Sequence, residues 1–340
     1  MASKGVEQAT LEDLPEIRRL LLDVFQCAED RTIFSPEVLA WKAFDPHPFW
    51  EGGRSYILRV AGRIVAHGLV IPLRLKTARA SLRAQCVIDW VANKEAVGAG
   101  VLIYTQLRGM TDLQIGLGGS DHARRVLPRM GFSNYRNVRV YSRVIRPAAH
   151  LVRVRGLRPA SWLRLARDYK ELLRGQSSAA DQLEAIPCKS FDPGEDLPLP
   201  DAAVVGGSVF EQTAESLNYT LRCPAARMEA YRFQLHGSSC GYCVLSRIGH
   251  QCRIANMWVH SSRAEDWSNA FIRVTGLAAS DPACTEIIAC ASLPLLETAL
   301  RFAGFRTPYD FPLFVHNSQR AALEESEVSI TFTENDAFYL

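Results

Sequence analysis

A phosphate-binding turn can be read in residues 88–101, Ile88-Asp89-Trp90-Val91-Ala92-Asn93-Lys94-Glu95-Ala96-Val97-Gly98-Ala99-Gly100-Val101. An apolar, strand-like run ends, Gly98 and Gly100 bracket a tight turn, and an apolar helical repeat begins at once. Amides at the start of a helix carry partial positive charge, and residues without a Cβ let a pyrophosphate approach the main chain. Titratable residues lie close by: Asp89 within the run, Tyr104 in the following helix, and Ser120, Asp121 and His122 after the next strand.

Such a turn works only between a strand and a helix that hold it. Residues 5–26 read as a short strand and then a helix. Thr10 and Asp13 make a capping-box-like start, and Ile17, Leu20, Leu21, Val24 and Phe25 repeat at helical spacing as one buried face. Residues 55–60 and 64–71 read as a hairpin about Ala61-Gly62-Arg63, stopped by Pro72. Residues 86–92 form the strand before the turn, and residues 101–107 the helix after it. Leu113, Ile115 and Leu117 alternate as a further strand. A short helix from Asp121, the pair Gly131-Phe132 and a strand through Val138 and Val140 complete the series. The order is that of an α/β fold with a mixed sheet, its parallel pair flanking the glycine-rich helix.

The second half repeats the plan. Trp41 stands five residues before Pro46, and Tyr219 five before Pro224; Gly62 answers Gly237, Trp90 answers Trp258, and Gly131-Phe132 answers Gly304-Phe305. The offsets are 178, 175, 168 and 173 residues, in one order along the chain. Two tandem domains are therefore expected, over residues 1–146 and 181–340. Residues 147–180 should join them as a helical linker, with a helix over 161–173 and a Gly-Gln-Ser-Ser-Ala-Ala run from Gly175.

Composition agrees with this and removes other classes. A chain of 340 residues suits two cores of about 150 residues each. Hydrophobic residues make up 48% and charged ones 22%, which excludes a disordered scaffold. A net charge of +3 gives no global field for DNA. The first residues lack the apolar core of a signal peptide, and runs such as 65–71 fall short of a bilayer span. Nine cysteines, several inside strand-like runs, fit free thiols in a reducing cytoplasm.

The turn resembles the phosphate loop of the GNAT superfamily of acyltransferases, Arg/Gln-x-x-Gly-x-Gly/Ala after the fourth strand. Glu95, Gly98 and Gly100 occupy its three positions, with Glu95 a mismatch beside a pyrophosphate. The Met130-Gly131-Phe132 ending is also of that kind. The second half resembles the C-terminal domains of tandem GNAT proteins through Tyr219-x4-Pro224 and Asn335-Asp336-Ala337-Phe338.

The resemblance implies an acyl-CoA, acetyl-CoA first, lying between the strand that ends at Val91 and the strand Leu113–Leu117. Glu95, Ala96, Val97, Gly98, Ala99, Gly100 and Val101 would hold its phosphates, and an amide at Trp90 or Val91 would polarise the thioester. Asp89 is the first choice of base, with Asp121, His122 and His67 behind it. The family's acid tyrosine is replaced by Leu127, and Pro128 should end that helix, which leaves Tyr104, Ser120 or an unassisted thiolate. The counterpart loop, His260-Ser261-Ser262-Arg263-Ala264-Glu265-Asp266, has no glycine. The second domain is then a degenerate copy shaping an acceptor cleft.

The function that follows is N-acyl transfer to an amine of a small molecule or sugar. Two rivals stay open. One is an acyl-CoA-binding protein without turnover, motivated by Glu95 and Leu127. The other is a tRNA-dependent aminoacyl transferase, motivated by Arg153, Arg155, Arg158, Arg164, Arg167, Lys170 and Arg174 of the linker, whose basic run reads first as a solvated helix face. A homodimer is open, and no metal is expected: Cys240-Gly241-Tyr242-Cys243 lacks a second pair at zinc spacing. Gly118-Gly119-Ser120-Asp121-His122 is not a nucleophile elbow.

Overall fold

A computed structural model of the chain describes residues 5–155, 159–174, 180–194, 196–317 and 327–340. Strand β1 (Val6–Gln8) leads through a short turn, Leu11–Asp13, capped by Thr10 and Asp13, into helix α1 (Leu14–Phe25), and then helix α2 (Pro36–Phe44), capped by Ser35. Strands β2 (Ser55–Val60), β3 (Arg63–Lys76) and β4 (Ser81–Ala92) form an antiparallel meander. Helix α3 (Ala99–Arg108) then crosses to β5 (Leu113–Leu117), parallel to β4. Helix α4 (Asp121–Val126) and β6 (Ser133–Val144) follow, then α5 (Pro147–His150) and α6 (Pro159–Arg174).

The second half begins with β7 (Leu183–Cys188), α7 (Ala202–Val205), β8 (Ser208–Phe210) and α8 (Ala214–Leu221). It then repeats the order: antiparallel β9 (Arg227–Leu235), β10 (Ser238–Ile248) and β11 (Gln251–Val259), helix α9 (Ala264–Ala279), parallel β12 (Glu286–Ala291), helix α10 (Pro294–Phe302) and β13 (Arg306–Asn317). A short strand, β14 (Val328–Ser329), lies parallel to β8. The two hairpin turns match in detail. Ala61 and Gly62 have φ of 51° and 80°, and His236 and Gly237 have 53° and 80°, as a type I′ turn needs. Trp41 and Tyr219, read as counterparts, stack on each other with centroids 4.9 Å apart.

The strands form one sheet, in the order β1-β2-β3-β4-β5-β13-β6-β12-β11-β10-β9-β7, with β8 pairing off this path with β3 and β14 with β8. The last strands are exchanged. β13 of the second half pairs with β5 of the first, and β6 of the first half pairs with β12 of the second. β6 and β13 then pair antiparallel with each other at the centre. Each parallel pair is therefore closed by a strand from the other half. One hydrophobic cluster runs through both, from Leu69 and Ile115 to Tyr242 and Phe305.

Three sequence expectations need correction. Val24 and Phe25 are 37% and 47% exposed, so the buried face of α1 is Ile17, Leu20 and Leu21. Pro72 does not stop its strand. The Val70 amide donates to Arg54 just before β2, and Pro72, two residues on, faces the same side beyond the end of β2, where no amide is needed. His67, a base candidate in the hairpin, is 1% exposed and so does not reach solvent there. The Gly175 run falls outside the described residues apart from Ala180. All nine cysteines are free, and among the described residues no helix is long and apolar enough to cross a membrane.

Candidate functional site: a splayed strand pair and its turn

Between β4 and α3 the chain folds back on itself. Asn93 accepts the Glu95 amide through Oδ1 at 3.2 Å and the Ala96 amide through its carbonyl at 3.0 Å. The Ala96 carbonyl accepts the Ala99 amide at 3.0 Å. Gly98 caps α3 with φ 84°, a left-handed conformation that disfavours a side chain. Among the described residues the amides of Val97, Gly98, Gly100 and Val101 take no hydrogen bond, so a row of donors faces outward at a helix start. The Trp90 Nε1 donates to the Gly100 carbonyl at 2.8 Å, and a Cβ at Gly100 would lie 3.2 Å from that nitrogen. Gly100 is therefore a close approach of loop to indole, whereas Gly98 has open space around it. Glu95 is exposed, and Val97 is 95% exposed. Beside the loop lies an open groove of about 1110 Å³ that also carries Arg19 of α1 and Arg63 of the hairpin. Both arginines come from elsewhere in the chain and leave no local signal.

β4 and β5 pair only over Ala84 to Cys86 against Leu113 to Ile115, then separate. The cause is a bulge: between His67–Val91 and Leu69–Ile88 the register slips, and Asp89 takes φ 48°. The resulting cavity of about 470 Å³ is lined by Asp89, Trp90, Tyr104, Ser120, Asn335 and Asp336, among others. Tyr104 is buried, and its hydroxyl comes within 3.5 Å of where a Cβ at Gly116 would stand, with Leu127 Cδ1 at 3.4 Å from the same point. Tyr104 thus ends beside Leu127. Burial raises its phenol far above the usual range, so it keeps its proton.

The structure does not gather every residue expected here. Ser120 lines the cavity, but its hydroxyl accepts the Ala123 amide as the cap of α4. Asp121 and His122 are exposed and lie outside the cavity lining. His67 Nδ1 donates to the Asp89 carbonyl at 3.1 Å, which leaves Nε2 to accept from the Ser55 hydroxyl at 2.9 Å. Burial drives its imidazole down to about 4, so it stays neutral and props the bulge.

Asp89 is not free either. Its carboxylate meets Lys42 Nζ of α2 at 2.5 Å, with both side chains about 5% exposed or less. Asp336 behaves differently. Among the described residues its carboxylate takes no ion pair and no hydrogen bond from another residue, and it opens on the cavity. Burial and the charge of Asp89 push it up to about 6. The sequence carries no local sign that Lys42 or Asp336 meets this cavity; Asp336 stands there only within Asn335-Asp336-Ala337-Phe338.

That segment is held by Thr331 and Glu334, which cap each other, and by Asn256, whose Nδ2 donates to Thr333 Oγ1 at 2.8 Å and Thr331 Oγ1 at 3.2 Å. Glu334 is 1% exposed, and burial pushes it from 4.5 to about 7. The folded chain therefore holds this proton more tightly than the unfolded one. Its ionisation should cost stability as pH rises from about 4.5 to about 7. Glu334→Gln is expected to flatten that part of the stability–pH curve in denaturant titrations, and an unchanged slope would show that Glu334 is not its source.

In the second half the matching helix start is already filled. The Ser261 hydroxyl donates to Asp266 at 2.6 Å, Trp267 Nε1 donates to the Ser261 carbonyl, and Glu265 and Asp266 put two carboxylates in the first turn of α9. A phosphate would be repelled there.

No protein-family profile matches the chain, and no curated protein matches it in sequence. Solved structures do. A GCN5-related N-acetyltransferase from Anabaena variabilis superimposes with a TM-score of 0.59 at 10% identity, over 92% of this chain and 72% of that one. The fold is that of the GNAT acyltransferases. Saccharomyces cerevisiae N-myristoyltransferase with bound myristoyl-CoA gives a TM-score of 0.57 at 13% identity, covering 93% of this chain and 83% of that one. A putative acetyltransferase from Pyrococcus horikoshii covers 97% and 95% at a TM-score of 0.55 and 10% identity. In this GNAT fold the glycine turn and the splayed pair occupy the order read from the sequence: strand, turn, helix, strand.

Proposed function

We propose that the chain transfers an acyl group, acetyl first, from coenzyme A to an amine of a small molecule or sugar. One observation carries the reading: the outward amides of Val97, Gly98, Gly100 and Val101 and the bulged splay at Asp89 follow each other along β4 and α3, and the splay cavity holds a carboxylate that is unpaired among the described residues. The amides of Val97, Gly98, Gly100 and Val101 would receive the pyrophosphate, with Arg19 and Arg63 adding charge nearby. The acyl arm would lie between β4 and β5, its carbonyl on an amide at Trp90 or Val91. Asp336 takes the amine proton as the nitrogen attacks the carbonyl. The C–S bond then breaks, and the buried Tyr104 hydroxyl offers a hydrogen bond to the departing sulfur. Asp89 is a positioning residue in this scheme, held by Lys42. Residues 1–146 supply the donor turn, residues 147–180 the connection, and residues 181–340 the acceptor wall.

Calorimetry with acetyl-CoA and desulfo-CoA tests the donor site. Gly98→Trp puts bulk among the outward amides and strains the left-handed turn that presents them, and it is expected to abolish binding while the melting temperature stays close to that of the parent. Glu95→Gln removes an exposed negative charge and should tighten binding severalfold at low salt. No binding by the native protein would end the acyl-CoA reading.

A further inference from the structure

Helix α6 turns its apolar side away from the protein. Ser161 and Asp168 are each 6% exposed, and Arg164, Arg167 and Asp168 line a cavity of about 570 Å³ together with Arg143, His150 and Arg306. The opposite side carries Trp162, Leu163 and Tyr169, which are 54%, 78% and 48% exposed, with Ala166 between them. Val152, on the turn before the helix, is 71% exposed. An ordinary surface helix does the reverse, and large apolar side chains grouped in one exposed patch mark a contact.

The charges beside the patch identify what it meets. Arg153, next to Val152, and Lys170, one turn on from Ala166, are exposed beside it, while Asp168 is turned inward and paired with Arg167 at 3.3 Å. Trp, Tyr and Leu bordered by basic residues suit a helix lying in the headgroup layer of a bilayer, and the sign of the charge selects anionic lipid. RNA would use the basic residues and leave Leu163 and Val152 in water. A second copy of the chain would bring the same positive charges against each other. We propose that α6 seats this protein on an anionic lipid surface, with Trp162, Leu163 and Tyr169 entering the headgroup layer and the basic side chains meeting lipid phosphates. The inference goes beyond acyl transfer and does not depend on it.

Co-sedimentation of the full chain with phosphatidylglycerol–phosphatidylcholine vesicles, against pure phosphatidylcholine, tests it. The chain is expected to pellet with the anionic vesicles, to be released by salt, and to stay in solution with neutral ones. Trp162→Glu with Leu163→Glu should remove binding. Arg153→Gln and Lys170→Gln should each weaken it by about fivefold, the effect of roughly one surface cation on anionic lipid. Unchanged melting temperatures would establish that the variants are folded. Failure to pellet with anionic vesicles would overturn the proposal. So would equal binding to neutral ones, retention of RNA in place of vesicles, or a dimer in solution dispersed by Trp162→Glu.

Discussion

Lys42→Met should destabilise the protein by about 3–5 kcal/mol, because it leaves the Asp89 carboxylate buried without its counter-charge. Lys42 and Asp89 are about 5% exposed or less, so water screens little of the loss. Adding Asp89→Asn to the same chain should return most of the stability, since the isosteric amide removes the stranded charge. Urea titration of the two variants and the parent measures this. Equal destabilisation in single and double variants would mean that the contact of Lys42 Nζ with the Phe34 and Tyr339 rings, 5.5 and 5.9 Å from their centroids, matters more than its pairing with Asp89.

The second large effect is on turnover. Asp336→Asn keeps the shape of the side chain and removes its basicity. It is expected to lower kcat/KM by about 10²–10⁴-fold while acetyl-CoA affinity stays within error. A base must be unprotonated to act, so the native rate should climb as pH rises through about 6, and the variant should lose that limb. Thiol release from acetyl-CoA gives the readout with an amine acceptor, or with water if no acceptor has been found. Full activity with the limb intact would remove Asp336 from the mechanism. It would direct attention back to Asp89, the first choice of base from the sequence.

What the sequence made legible was local. Gly98 and Gly100, the switch from alternating to helical spacing around them, and the hairpin glycines at 62 and 237 depend on a few neighbouring residues, and each reads directly. Asp89 was found because it shares a strand with Trp90. Its partner is 47 positions away on α2, and only tertiary packing brings Lys42 onto it. Asp336 reaches the first half's cavity from the other end of the chain, where no spacing connects it to the turn. Asp121 and His122 were taken for site residues because they follow β5, but α4 starts there with both of them facing water. The exchange of β6 and β13 left no trace in pattern, since both are alternating strands that satisfy the same kind of neighbour.

That exchange also sets a schedule for synthesis. The open edge of β5 waits for β13, which lies 200 positions later when counted from Leu117 to Asn317. At about 5–20 residues per second a ribosome leaves this edge without its strand for roughly 10–40 s. During that interval the first half holds its glycine turn beside an unclosed sheet, and β6, already made, has not yet met β12. The nascent chain thus passes through a long stage in which two unpaired strands of matching character are exposed together. Holding them apart is work for a chaperone, and slow translation between residues 146 and 306 would lengthen the exposure.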